Sequence, residues 1–297
     1  MPKEKDISEK ALESYTDVFA DIVNGLLFAG REVIRETELE DAHPGSQLKL
    51  DGALHEQERD VAKFWKHDEI RIALCGMENQ TEPDRDMALR ILGYDGASYK
   101  EQVNLHVGER RAGKAPSPAY PALTLVLYFG DTRWTAPRTL RECFGQMPDA
   151  LAPFVQDYRI HVFEIAFLTP EQISCFHSDF RLVADFLVQK RTKEEYAPPE
   201  DTIRHVDEVL KLLSAVTGDR SYEEVRNTLE EQGKEGTTMC DVVNSFVEKG
   251  RREGERIVID ILREMQTGKT DEQIFKSHPK ASPDLVQTLR QTLPYTQ

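Results

Sequence analysis

The chain has 297 residues, with 38 Lys or Arg against 53 Asp or Glu, a formal net charge of −15 and 39% hydrophobic residues. That length buries a core for one large or two modest domains. No run of eighteen apolar residues exists and the opening MPKEKDISEK is charged, so neither a membrane span nor a secretory signal is expected, and the location expected is the cytoplasm.

Residues 8–28 are predicted as an amphipathic helix, with Leu12, Val18/Phe19, Ile22/Val23 and Leu26/Leu27 at helical spacing and a stop at Gly30. Residues 31–52 are acidic and broken by Pro44-Gly45, which predicts a short strand and a loop. A hairpin follows with arms 53–62 and 70–79 around His67-Asp68-Glu69. Residues 82–111 read as a helix with Pro83 in its first turn and bends at Gly93 and Gly96. Residues 121–129 and 160–168 read as strands, the first buried on both faces. The order α–β–β–α–β with a later strand predicts an α/β fold, a small mixed sheet flanked by helices.

From Thr169 the pattern is helical only, so the chain divides into residues 1–168 and an all-helical extension, 169–297. Thr169 caps a first helix, and 201–217 and 221–232 follow. The longest, 238–266, carries an apolar stripe from Val242/Val243 to Met265 interrupted by Gly250 and Gly254. Packing against the domain is its simplest use, a homodimer seam the alternative. Two short helices close the chain, with turns at His278-Pro279 and Ser282-Pro283. They suit a capping hairpin better than a helix-turn-helix reader, because the second is weakly patterned. Four scattered cysteines, Cys75, Cys143, Cys175 and Cys240, lack Cys-x-x-Cys or Cys/His spacing, the pattern of a reduced protein without structural zinc.

The chemistry concentrates in QERDVAKFWKHDEIRIALCGMENQT, residues 57–81. Asp60 lies on one hairpin arm and Glu78-Asn79-Gln80 ends the other. Alternation along a strand makes Glu78 and Gln80 co-facial while Asn79 points away. Two carboxylates beside a polar donor suit Mg²⁺, a hard cation that takes one or two carboxylates plus substrate phosphate. The plainer alternative is solvated residues at a strand end. Charge is uneven: residues 1–60 hold seven basic against fifteen acidic residues, whereas 61–114 hold nine of each. Since phosphate contact favours a basic surface, the acidity predicts weak DNA affinity without Mg²⁺ and strong salt sensitivity.

GMENQTEPDRDMALRILGYDGASYKEQV (76–103) and PALTLVLYFGDTRWTAPRTL (121–140) resemble the recombination-promoting nuclease (Rpn) family, also labelled "putative transposase", within the PD-(D/E)xK nuclease superfamily. The likeness runs from Asp17-Val18-Phe19 to residues 163–168. It implies a restriction-endonuclease-like core and a metal-dependent DNA endonuclease that promotes recombination. In that pattern Asp60, Glu78 and Gln80 are catalytic, and Asp60 and Glu78 hold Mg²⁺, with Mn²⁺ as a substitute. The family's early helical acid matches Asp17 or Asp21, a further metal ligand. Position 80 is Gln where many of the wider superfamily carry Lys, so it brings no positive charge to the site. Arg90 and Lys100 on the next helix could supply that charge. Arg133 and Arg138, flanking Trp134, are the phosphate-contact candidates of their loop, and Trp134 itself reads as packing. The competing reading is a catalytically decayed nuclease fold kept as a nucleic-acid- or protein-binding module.

Overall fold

A helical turn at 12–14 leads past a bend at Tyr15 into α1 (Thr16–Phe28), which ends where Ala29 and Gly30 take left-handed φ values of 53° and 78°. Gly30 is suited to this conformation because it has no Cβ. The buried Asn24 of α1 secures the exit: its amide donates to Ile34 O at 2.7 Å, and its oxygen accepts from the Val33 and Ile34 N–H groups. The computed structural model describes residues 12–42, 45–50, 53–68, 70–192, 196–232 and 236–292. The predicted start of the first helix at 8–11, Pro44 and Glu69 lie outside the described residues.

Five strands form one mixed sheet in the order β1 (Leu39–Asp41), β4 (Val61–His67), β5 (Ile70–Gln80), β6 (Ala122–Tyr128), β7 (His161–Glu164). Pairs β1·β4 and β4·β5 are antiparallel, while β5·β6 and β6·β7 are parallel. Strands β2 (Gly45–Leu50) and β3 (Ala53–Glu58) pair with each other in a separate two-stranded sheet. The predicted hairpin is thereby corrected. Its first arm divides at Arg59-Asp60: β3 turns back to β2, and only β4 pairs with β5. Asp60 therefore lies in the break between two strands. Arg59 causes the break physically, because its side chain is buried over Gly76 of β5 and hydrogen-bonds beyond it.

The long helix α2 (Met87–Arg111) connects β5 to β6 and covers one sheet face. Its Met87, Ala88, Ile91 and Tyr94 pack with Val126, Tyr128, Trp134 and Ile160. Farther along the sheet, Ala62, Leu74 and Ala122 make a smaller cluster with Phe64 and Tyr120. The helix starts at Met87, later than predicted, because residues 82–86 are held in turns, with the Asp86 N–H donating to Asp84 at 2.8 Å. Gly93 and Gly96 do not interrupt it. The opposite face meets α1, where Phe19 lies 5.8 Å from the buried Lys63 ammonium.

Strand β7 stops at Glu164, short of the predicted 168, as the chain turns into a 3-10 segment at Ile165–Phe167. Thr139 caps the short α3 (Leu140–Cys143) with Glu142 as its partner, and Thr169 caps α4 (Pro170–Ile173) with Gln172 in the same way. Helices α5 (Phe180–Thr192), α6 (Val206–Thr217) and α7 (Ser221–Gln232) follow. The start of α6 at Val206, against the predicted 201, reflects Asp179, whose carboxylate accepts the N–H groups of Arg204 and His205. The chain forms two compact units, residues 1–237 and 238–297, so α4 to α7 belong to the unit that carries the sheet. In the second unit α8 (Met239–Gln266) packs Ile261 and Met265 with Ile274 of α9 (Asp271–Ser277) and Val286 of α10 (Pro283–Thr292). Among the described residues no helix is long and apolar enough to cross a membrane.

Candidate active site

The parallel run of β5, β6 and β7 brings their carboxyl ends to one edge of the molecule, the place where open α/β sheets bind ligands. Glu78 and Gln80 occupy the end of β5, opposite Val126 and Tyr128 of β6. On the other side of β5 the antiparallel ladder begins with Val61 against Met77, and just before it the Asp60 N–H donates to Met77 O at 3.1 Å, which sets Asp60 beside the end of β5. Asp60 Oδ2 accepts the Asn79 backbone N–H at 2.6 Å, so its carboxylate occupies the ladder position where β4 would have continued.

Glu78 is buried, with 2% exposure, which makes its charge costly unless paired. Arg90 of α2 pairs with Glu78 Oε1 and also donates to Asp84 at 2.8 Å and Tyr94 at 3.1 Å. Gln80 Nε2 lies 3.4 Å from the same Glu78 oxygen, a long contact that keeps its amide on this face. Burial opposes the Arg90 charge, but Glu78 and the bonds to Asp84 and Tyr94 outweigh it and raise the pKa. The Tyr94 phenol is pushed up by burial and by the negative charges of Glu78 and, more weakly, Asp60, against the pull of Arg90. Both acids thus act on one phenol from one end of the sheet. The donors are the oxygens of two carboxylates and one amide, and among the described residues no group of three or more His, Cys, Asp or Glu that could hold a metal gathers here or elsewhere. Such a set suits a hard cation that retains several waters.

Behind Asp60 is a buried polar network that sequence reading missed. Arg59 donates to Thr124 Oγ1 at 2.8 Å, Asp95 at 2.6 Å and Ser98 at 3.2 Å, and Asp95 also accepts from Thr124 and Tyr158. A Cβ on Gly76 would lie 2.3 Å from Arg59 Cδ, so glycine makes the crossing possible. That glycine inside an apolar strand was the available signal, since it marks close approach of another group.

The remaining candidates separate. Asp17 pairs with Arg204 at 2.7 Å and His205 at 3.4 Å, and Asp21 accepts the His177 and Ser178 N–H groups. Both line a pocket with Asn24, Asp179 and Arg204 whose walls include neither Asp60 nor Glu78. The early acid that reaches the end of β5 is instead Glu13, fully buried, whose Oε2 accepts from Asn79 Nδ2 at 2.7 Å. Arg133 and Arg138 converge on Glu164 at the end of β7, at 3.5 and 3.1 Å. Lys100 lies exposed on α2. Trp134 is buried edge-on against Tyr128, as packing.

A mixed sheet flanked by helices, with acids at the carboxyl end of its central strand, is an α/β nuclease-like arrangement. Residues 70–222, just over half of the chain, match the family described as Putative transposase, YhgA-like, and the chain belongs to that family. No curated protein and no solved structure matches it.

Proposed function

We propose that this chain is a cytoplasmic, metal-dependent DNA endonuclease of the transposase-derived, recombination-promoting type. The observation that carries the reading is that Asp60 is hydrogen-bonded to both neighbours of Glu78, the Met77 carbonyl and the Asn79 N–H, at the carboxyl end of β5. Membership of a transposase-like family supports DNA as the substrate.

In this reading the carboxylates of Asp60 and Glu78 hold a divalent cation, Mg²⁺ or Mn²⁺. The bound ion supplies charge for a nonbridging phosphate oxygen and makes a coordinated water more acidic. Gln80 orients the attacking water through its amide, as a neutral donor or acceptor. Arg90 offsets the Glu78 charge and offers the positive potential that Gln80 lacks. Asp60 is aimed by its bond to the Asn79 N–H and by the buried Arg59 beside it.

The binding-module alternative gains support from that same Arg90–Glu78 pair, which neutralises the acid without any ion, and from the net charge of −15. Incubation of the purified chain with supercoiled plasmid separates the two. Nicked or linear DNA in Mg²⁺ or Mn²⁺, and none in EDTA, is the expected result; intact plasmid in both ions favours the module.

A further inference from the structure

A second pocket opens at the same edge of the sheet. Its wall includes Thr81 just after β5, Asp131 just after β6, Ala166 just after β7, and Lys190 and Arg191 from the end of α5. At about 500 Å³ it has the size of a small-ligand site. Both cations are exposed and, among the described residues, neither has a carboxylate partner, in a chain where acids outnumber bases by fifteen.

Lys190 Nζ stands 5.9 Å from the centre of the Phe186 ring, and Arg191 is the more firmly held of the two. Arg191 Nε donates to Ala166 O at 2.7 Å, and its guanidinium carbon stands 4.1 Å from the centre of the Phe167 ring. Arg133 stacks on that ring as well, also at 4.1 Å. Two guanidinium groups on one phenylalanine repel each other, and Glu164 meets only the Arg133 side, at 3.5 Å. An anion near Arg191 and Lys190 would relieve the excess of positive charge. Thr81 is three residues beyond Glu78 on an extended chain, a reach of roughly 10 Å. That distance equals about three phosphate steps of one strand along a duplex axis.

We propose that Lys190 and Arg191, with Arg133 on the same Phe167 ring as Arg191, form a phosphate-binding subsite for the nucleic-acid backbone a few nucleotides from the bond facing Asp60 and Glu78. The subsite rests on the nuclease reading for its position relative to the cut, and on the pocket itself for its ligand. Arg191 contributes a planar donor fork held by Phe167 and Ala166, and Lys190 contributes a mobile point charge. Asp131 opposes them and limits affinity.

The test is binding of a short fluorescent duplex by anisotropy, in EDTA and at a series of low salt concentrations, with wild type, Lys190→Ala, Arg191→Gln and Asp131→Asn. Lys190→Ala and Arg191→Gln should each weaken binding several-fold and flatten the log–log salt dependence by about one unit. Asp131→Asn should tighten it. Because Arg191 also holds Ala166, Lys190→Ala, which removes an exposed ammonium and its long contact with the Phe186 ring, is the deciding variant. Unchanged affinity and slope for Lys190→Ala, or no binding by the wild type, overturns the subsite. Failure of the nuclease reading looks different: plasmid stays intact in Mg²⁺ while the variants still separate in EDTA.

Discussion

In the proposed nuclease Gln80 and Arg90 would divide between them what a single lysine does in the wider nuclease pattern. If Gln80 orients water through a neutral hydrogen bond, Gln80→Ala should slow nicking on the order of 10²-fold, the cost of one positioned donor. Gln80→Lys should keep or raise the rate. Initial rates of the three proteins at fixed Mg²⁺ decide the matter, and an inert wild type that gains cutting from Lys would mark a decayed enzyme. Arg90 is 37% exposed at its side chain, so its pair with Glu78 is worth less than a fully buried one. Arg90→Ala should lower unfolding stability in EDTA by about 1–3 kcal/mol, because it leaves Glu78 buried without its cation. Mg²⁺ should recover part of that loss. Equal melting with and without Mg²⁺ would show that no ion replaces the guanidinium.

At the scale of elements, the sequence made strand β5 and the co-facial Glu78 and Gln80 legible, because alternation and an apolar run are local signals. The break at Arg59-Asp60 was not legible. It depends on Asp95 and Ser98, 36 and 39 residues further on, which draw the Arg59 guanidinium across Gly76. For the same reason the family resemblance offered Asp17 and Asp21 of α1, while the contact with β5 comes from Glu13, one bend earlier. The network makes its own prediction. Asp95→Ala leaves Arg59 buried without its carboxylate and should cost about 3–5 kcal/mol in a urea unfolding curve. A much smaller loss would mean that Arg59 finds water or another acceptor, and Asp60 would not depend on it for its position.

At the scale of the whole molecule, charge and division into units set the conditions of function. If the chain acts on DNA as proposed, its formal charge of −15 opposes the approach, and the cations at the carboxyl edge of the sheet, Arg90, Arg133, Arg138, Lys190 and Arg191, would have to meet this locally. The family match ends at residue 222, within the unit that carries the sheet, so the unit at 238–297 lies beyond it. A change from mixed to purely helical pattern at Thr169 was visible in the sequence, but pattern alone does not tell which helices pack with the sheet; burial does.

A nuclease of the proposed kind needs Asp60 and Glu78 to share one ion. Mn²⁺ titration followed by the electron paramagnetic resonance signal of the free ion, on wild type, Asp60→Asn, Glu78→Gln and the double variant, measures this directly. Sharing predicts that each single change weakens binding about tenfold or more and that the double change adds little, a strong non-additivity between neighbours. Losses that simply add, or single variants that bind Mn²⁺ as the wild type does, would contradict it.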